Sequence, residues 1–170
     1  MKGIIIQGSS RSAGSTYKVA QVLKAQLDFD ILNLCEKNIG HFDYEFRNQQ
    51  DDFLPTIKEI VEKYEVIIFA TPVYWYTMSG LMKNFFDRIS DCLKIEKDTG
   101  RKLRGKSMAA ISCSGDPSVV EGFFIPFQKS ADYLGMHYLG NIHTWLDEGK
   151  DISDEVLKRI KDFAVNLQSN

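Results

Sequence analysis

Residues 8–16 read Gly-Ser-Ser-Arg-Ser-Ala-Gly-Ser-Thr, so one short stretch combines two glycines, four serines, one threonine and one arginine. Hydroxyl groups and unpaired backbone N–H groups donate hydrogen bonds to anions, and the planar guanidinium of arginine suits a phosphate. Glycine lets the backbone approach a ligand closely. The stretch therefore predicts a pocket for a terminal phosphate monoester, with these binding residues: Ser9, Arg11, Ser12, Gly14, Ser15 and Thr16.

Other phosphate-binding loops do not fit this stretch. The second glycine is not followed by Lys-Ser or Lys-Thr, as in nucleoside-triphosphate loops, and the dinucleotide pattern G-x-G-x-x-G is absent. An ordinary serine-capped turn with a solvated arginine remains the alternative interpretation.

Residues 71–77, Thr-Pro-Val-Tyr-Trp-Tyr-Thr, form a second unusual stretch, which we interpret as a loop that begins where Pro72 ends the preceding strand. It offers rigid apolar surface together with backbone donors and acceptors. A ligand with one phosphate for the first loop and a flat ring with polar edges for the second would fit both loops, and flavin mononucleotide (FMN) is the candidate. The residues expected at the ring are Pro72, Val73, Tyr74, Trp75, Ser114 and Gly115. Alternatively, the aromatic side chains pack locally or form a subunit interface.

These stretches must be positioned by a regular framework of strands and helices. Apolar runs predict five strands, near residues 4–6, 29–34, 66–70, 107–112 and 136–142. Apolar spacing predicts helices after each of them, near residues 16–27, 53–64, 79–93, 118–134 and 156–167. Alternation of this kind favours a three-layer α/β fold, with a five-stranded parallel sheet in the order 2-1-3-4-5 and helices on both faces. The two loops then follow the two strands at the switch point, where ligands bind in such sheets.

Composition narrows the classes of function. The 170 residues predict one domain over positions 1–170, and a net charge of −2 with a pI near 5.9 gives no support for nucleic-acid binding. No apolar run reaches membrane length, so no membrane partner is expected. The three cysteines form no C-x-x-C pair, which predicts no disulfide framework and no metal site. We expect a cytoplasmic protein.

Three motifs together resemble the flavodoxin-like NAD(P)H-dependent FMN reductases, a family that includes NAD(P)H:quinone-type oxidoreductases. They are Gly8-Ser9-Ser10-Arg11 with Gly14-Ser15-Thr16, the run Thr71-Pro72-Val73-Tyr74-Trp75, and the run from Ser79 to Arg88. The resemblance covers nearly the whole chain.

The resemblance implies a function and a set of binding residues. It implies transfer of electrons from NAD(P)H through bound FMN to a small acceptor, such as a quinone, a nitro or azo aromatic, a flavin or a ferric chelate. The cofactor carries such chemistry, so no catalytic side chain is expected. The FMN phosphate would contact Ser9, Arg11, Ser15 and Thr16, and the ring would contact Pro72, Val73, Tyr74 and Trp75. The helix that begins at Ser79 would help to form a homodimer.

Two departures from that family concern Tyr76 and Cys35. Relatives often carry glycine where this chain has Tyr76, whose bulk would narrow access to the ring or stack on it. A subgroup with iron–sulfur clusters carries several cysteines after the second strand, whereas Cys35 stands alone here, so no cluster is predicted.

The third motif also contains an apolar stripe and an ion pair. Leu81, Met82, Phe85 and Phe86 are expected in the core and at a dimer contact, and Asp87-Arg88 is expected as a solvated or interface ion pair.

The same fold serves three other functions. An FMN electron carrier of the flavodoxin kind is the main alternative, although such carriers are usually strongly acidic. A receiver domain would need an aspartate that ends the third strand and an acidic pair after the first, but this chain has Ala70-Thr71 and Gln7-Gly8 there. A small phosphatase would need a cysteine nucleophile in the first loop, and residues 8–15 contain no cysteine.

Overall fold

The apolar runs form one β-sheet in the computed structural model, which describes residues 2–147 and 149–169. Its strands are β1 (Gly3–Gln7), β2 (Asp30–Asn33), β3 (Val66–Tyr74), β4 (Thr77–Met78), β5 (Ser107–Ser114) and β6 (His137–Trp145). Five strands run parallel in the order β2-β1-β3-β5-β6, which confirms the predicted order, and β4 adds an antiparallel strand beside β3.

Helices cover both faces of this sheet. They are α1 (Ser15–Leu27), α2 (Phe53–Lys63), α3 (Gly80–Lys94), α4 (Lys97–Arg101), α5 (Ile125–Leu134) and α6 (Asp154–Gln168), with a 3₁₀ turn at Leu34–Glu36. Side chains alternate along β1, so Ile5 packs with α1 and α6 on one face, while Ile4 and Ile6 pack with α2, α3 and α5 on the other. The three-layer fold is therefore confirmed.

The interpretation of residues 71–77 as a loop is wrong. Strand β3 continues through Pro72 to Tyr74 and turns back into β4, with Val73 opposite Met78 and Tyr74 opposite Thr77. Strand β1 pairs with β3 only as far as Ala70, so Pro72 lies where one side of β3 has no neighbour from β1. A proline is tolerated there because it has no N–H group to donate, and on that side of β3 no strand is present to accept a hydrogen bond.

Three other predicted boundaries also differ from the structure. The helix predicted from residue 118 begins only at Ile125, because Gly122 has a φ of +85° and Pro126 occupies the first turn of α5. The fifth predicted strand extends three residues further, to Trp145, and the charged segment 94–106 contains α4. None of these differences changes the sheet order.

The interpretation of Asp87-Arg88 as a solvated or interface ion pair is wrong as well. Arg88 is only 1% exposed, and its guanidinium pairs with Asp51 and with Asp91 rather than with Asp87. It also donates to the carbonyl oxygens of Gly40 and Asn48, at 2.9 and 3.0 Å. Arg88 therefore fixes the long connection between β2 and α2 onto α3.

The helices of the described residues were also compared with the length and apolarity that a membrane span requires. Within residues 2–147 and 149–169, no helix is long and apolar enough to cross a bilayer.

Candidate functional site

The loop after β1 is held in place by a buried side chain at the end of that strand. The Gln7 amide donates through Nε2 to the carbonyl oxygen of Arg11 and accepts through Oε1 from the amide of Ser9, both at 3.1 Å. The amide of Arg11 donates in turn to Ser9 Oγ, at 3.1 Å. A tight polar turn results, with its hydroxyl groups at the carboxyl edge of the sheet.

This loop packs against the start of α3. Ser79 caps that helix by accepting from the amide of Met82, and its hydroxyl donates to the carbonyl oxygen of Gly8. A Cβ at Gly8 would lie 2.8 Å from the Met82 methyl carbon, so only glycine fits without rearrangement.

The N-terminus of α1 opens onto the same edge of the sheet. Its N-cap residue is Gly14, which provides no side-chain cap. The helices α2, α4 and α5 also lack a side-chain cap, whereas α3 and α6 are capped by Ser79 and Ser153. The first-turn N–H groups of a helix have no acceptor within the helix and carry partial positive charge. The structure therefore places the amides of Ser15 and Thr16 at the edge of the sheet where sequence analysis expects an anion, and anion binding by them stays a prediction.

The hairpin of β3 and β4 forms the opposite wall. Pro72, Val73 and Tyr74 lie at its base, and the Tyr74 hydroxyl lies 3.3 Å from Ser10 Oγ. This contact joins the loop after β1 to the hairpin across the crevice between them.

The loop after β5 forms the third wall. Ser114 Oγ accepts from the amide of Asp116 at 3.0 Å and donates to its carbonyl oxygen at 2.8 Å. The same carbonyl accepts from His143 Nε2 at 2.9 Å, and His143 Nδ1 lies 2.8 Å from Ser112 Oγ. A carbonyl can only accept, so this contact assigns the proton to Nε2. Strand β6 thus holds the third loop in place.

The three walls enclose one crevice of about 470 Å³, which we call the cofactor crevice. Its lining comprises Ser9, Ser10, Arg11, Gly14, Ser15, Thr16, Pro72, Val73, Tyr74, Cys113, Ser114, Gly115 and Leu146. Ten of the twelve predicted binding residues lie in this lining. Ser12 lies instead on the outer side of the first loop, and Trp75 lies at the tip of the hairpin.

Sequence analysis missed several residues of the site. Gln7 and Ser79 were missed because their roles depend on contacts with the first loop, which the sequence order does not reveal. Cys113 lies inside β5 and Leu146 lies directly after β6. Both were missed because buried side chains of this kind are read from sequence as part of the core. The position of Cys113 directly before Ser114 was the available signal.

The donors of the crevice fit FMN. Hydroxyl groups, helix amides and the Arg11 side chain lie at one end, where a phosphate would be held, and Pro72, Val73 and Gly115 offer flat or open surface at the other. The volume lies in the range of small-molecule sites. Among the described residues, apart from Gly115 and its two chain neighbours, no atom lies within 4 Å of a Cβ placed on Gly115, so that part of the crevice is open.

Among the described residues that line the crevice, the one thiol belongs to Cys113. Burial raises the pKa of Cys113 to about 11, so its thiol is protonated at neutral pH. Across the described part of the chain, no group of three or more His, Cys, Asp and Glu side chains could hold a metal ion.

Comparison with solved structures shows the fold. The Trp repressor binding protein from Bacillus subtilis superimposes with a TM-score of 0.76 at 24% identity, covering 95% of this chain and 96% of that one. General stress protein 14 from Treponema denticola, solved in complex with FMN, gives a TM-score of 0.65 at 17% identity over 99% and 97% of the two chains.

Comparison of sequences shows the family. The YwqN protein of Bacillus subtilis, described as an NAD(P)H-dependent FMN-containing oxidoreductase, is 30% identical over 164 residues, or 91% of this chain and 88% of the relative. An FMN-dependent NADPH-azoreductase of Staphylococcus haemolyticus is 33% identical over 99 residues, or 53% of each chain. The model of the NADPH-dependent FMN reductase family matches residues 1–151. The chain therefore belongs to the NADPH-dependent FMN reductase family and is an FMN-dependent oxidoreductase that uses NAD(P)H.

Proposed function

We propose that the chain is a single FMN-binding domain over residues 1–170 and that the cofactor crevice is its FMN site. Ser9, Arg11, Ser15 and Thr16 hold the phosphate, because hydroxyl groups, helix amides and a guanidinium converge at that end of the crevice. The observation that carries this assignment is that the N-terminus of α1, which has no side-chain cap, opens into the crevice, where Gly14, Ser15 and Thr16 belong to the lining. Gly14 belongs to the site as the residue that leaves those amides uncovered.

The ring end of FMN is assigned to the other two walls. Pro72, Val73 and Tyr74 supply apolar and aromatic surface from the hairpin, and Ser114 and Gly115 supply backbone groups from the loop after β5. Bound FMN supplies hydride acceptance from NAD(P)H and electron donation to a second substrate. The side chains bind and orient the reactants, which explains why the crevice needs no catalytic acid or base.

The second substrate is a small electron acceptor. For a quinone, the overall reaction is NAD(P)H + H⁺ + quinone → NAD(P)⁺ + hydroquinone, which balances in atoms and electrons. Nitro and azo aromatics and free flavins are other acceptors of electron pairs with protons, whereas a ferric chelate accepts one electron, so two chelates are reduced for each NAD(P)H. The name of the azoreductase relative supports an azo aromatic.

We further propose that the protein is a homodimer formed through α3. Phe86, Ile89 and Leu93 of α3 and Tyr133 of α5 line an apolar groove of about 380 Å³ on the surface. Tyr133 is largely exposed there. A second copy that covers this groove would bury its apolar surface. Light scattering measures the mass in solution, and a monomer would contradict the proposal.

A reducing compartment such as the cytoplasm suits the thiols. Cys35, Cys92 and Cys113 are all free in the structure. Fractionation of cells that make the protein would test this localisation, and recovery in a secreted fraction would contradict it.

The phosphate assignment is tested by binding FMN and riboflavin to the same variants. Arg11→Ala should weaken FMN binding by roughly 1.5–3 kcal/mol, or about tenfold or more, and should leave riboflavin binding nearly unchanged because riboflavin has no phosphate. Arg101→Ala is the control, since Arg101 is exposed on α4, away from the crevice. Equal affinity of wild type and Arg11→Ala for FMN would remove Arg11 from the site.

A second experiment tests the reductase activity against the electron-carrier alternative. Anaerobic mixing of the FMN-loaded protein with NADPH should bleach the flavin absorbance rapidly. An unchanged flavin spectrum would contradict the assignment as a reductase.

A further inference from the structure

The tip of the β3–β4 hairpin holds two aromatic residues in an uncommon backbone conformation. Trp75 and Tyr76 have φ angles of 47° and 66°, in the left-handed region that asparagine and glycine usually occupy in such turns. Both side chains are open to solvent, at 92% and 69% exposure. Strained residues that expose large apolar side chains at a crevice are typical of binding sites.

These two side chains form one wall of a second groove of about 330 Å³. Its lining comprises Val73, Trp75, Tyr76, Ser114, Asp116, Ser118, Val119 and Val120. Val73 and Ser114 also line the cofactor crevice, so the groove and the crevice are contiguous. A molecule in the groove would lie next to the proposed ring end of the crevice.

The groove has an apolar and aromatic surface with a single acidic side chain. Asp116 is that side chain, and no lysine, arginine or histidine belongs to the lining, all of which lies in the described part of the chain. The Ser118 hydroxyl and amide donate to the Asp116 carboxylate, at 2.6 and 2.7 Å, and hold its pKa below the usual value. Asp116 is therefore negatively charged at neutral pH.

We propose that this groove binds the electron acceptor, that it selects flat aromatic molecules that are neutral or cationic, and that Asp116 disfavours anionic ones. The proposal rests on the proposed function, since it places the second substrate beside the FMN site. Trp75 and Tyr76 supply the surface on which a flat ring stacks, and Val119 and Val120 supply the facing apolar wall. The charge of Asp116 supplies the discrimination, because it repels an anion at short range.

A matched pair of acceptors tests the charge selection: 1,4-naphthoquinone and 1,4-naphthoquinone-2-sulfonate. The two differ in redox potential, so the informative quantity is how a variant changes the ratio of their kcat/KM values. Asp116→Asn should raise kcat/KM for the sulfonate by about fivefold and leave that for the neutral quinone within about twofold. Asp98→Asn makes the same change in net charge at an exposed position on α4 and should leave the ratio unchanged.

A binding measurement tests the location without turnover. Naphthoquinone added to the oxidised FMN-loaded protein should quench tryptophan fluorescence with saturation. The saturable part should disappear in Trp75→Phe, which keeps Trp145 as the remaining fluorophore. Quenching that rises linearly with quinone concentration, or that persists in Trp75→Phe, would overturn the proposal.

The outcomes distinguish a failure of the groove proposal from a failure of the proposed function. If the protein binds FMN and is reduced by NADPH but Asp116→Asn leaves the acceptor ratio unchanged, the groove proposal fails and the function stands. If the protein does not bind FMN, the proposed function fails. A dimer in which iodide cannot quench Trp75 would show that a second copy covers the groove, and this would also overturn the proposal.

Discussion

The Gln7 amide lies 3.1 Å from the carbonyl oxygen of Arg11 and bonds through its other end to the amide of Ser9. Gln7 is fully buried and comes from the last position of β1. One side chain thus sets the shape of the loop that faces the phosphate end of the cofactor crevice.

Replacing Gln7 should loosen this loop. Gln7→Leu leaves a buried N–H of Ser9 and the Arg11 carbonyl without these partners, which costs about 1–3 kcal/mol. We expect part of that loss to appear as about tenfold weaker FMN binding, measured by fluorescence titration. Gln26→Leu, at an exposed position of α1, is the matched control and should bind FMN like the wild type. Unchanged binding by Gln7→Leu would show that the loop keeps its shape without Gln7.

The cluster around Arg88 should contribute to stability rather than to FMN binding. Arg88→Leu leaves Asp51 and Asp91 as buried carboxylates without their cation, and breaking such a pair typically costs about 3–5 kcal/mol. Arg88→Lys keeps the charge but not the planar guanidinium and should fall between wild type and Arg88→Leu. Urea unfolding measures the free energies of unfolding of the three proteins and so gives their order of stability.

The control for this series is Arg101→Leu. Arg101 pairs with Asp98 at the surface, and such pairs contribute about 0–1 kcal/mol. If Arg88→Leu lost as little stability as Arg101→Leu, the structural role of Arg88 would be contradicted.

Asp51 should make stability depend on pH in the acid range. Burial alone would raise the pKa of Asp51, but hydrogen bonds from Arg88 and from the amides of Phe53 and Gly40 outweigh burial and hold the pKa below 3.8. The stabilisation by a lowered pKa is present above the ordinary value and is lost as the pH falls through the folded value.

Unfolding of wild type and Asp51→Asn over a pH series tests this dependence. We expect Asp51→Asn to be less stable at neutral pH and the difference to shrink below pH 3.8. Asp87→Asn is the control, because Asp87 pairs with Lys83 at the surface. A difference that stays constant down to acid pH would show that Asp51 acts through something other than its charge.

The three thiols should differ in reactivity. Burial raises the pKa of Cys92 to about 12 and that of Cys113 to about 11, whereas Cys35 is only half-buried. At pH 8 the thiolate fraction of Cys113 is on the order of one in a thousand. Iodoacetamide should therefore label Cys35 first, as peptide mass spectrometry can show, and Cys35→Ser should show no rapid labelling. Rapid labelling of Cys113 would mean that its side of the crevice opens in solution.

Much of the fold and of the site could be predicted because the signals are local. The run Ile4–Ile6 indicates a buried strand, and the two glycines, the serines and Arg11 indicate an anion-binding loop. The order of the strands then follows from the alternation of strand and helix, and it brings the first loop next to Pro72–Tyr74.

The features that could not be predicted depend on distant contacts. The buried state of Arg88 depends on Asp51, 37 positions earlier in the chain, so its neighbour Asp87 gave a misleading signal. Pro72 suggested the end of a strand, but the short length of β1 makes a proline acceptable there. The start of α5 is different, because Gly122 and Pro126 are local signals that the helix begins later than residue 118.

The last prediction concerns the backbone at Tyr76. The left-handed conformation costs a residue that has a Cβ roughly 1–2 kcal/mol of conformational free energy, and glycine avoids most of this cost. Tyr76 is largely exposed, with a φ of 66°, so its side chain contributes little packing to offset the cost. Tyr76→Gly should therefore raise the free energy of unfolding by about 1 kcal/mol, measured by urea unfolding. Tyr76→Ala, which removes the ring but keeps a Cβ in the left-handed region, should show no such gain. Equal stability of the two variants would show that the ring rather than the backbone determines the effect.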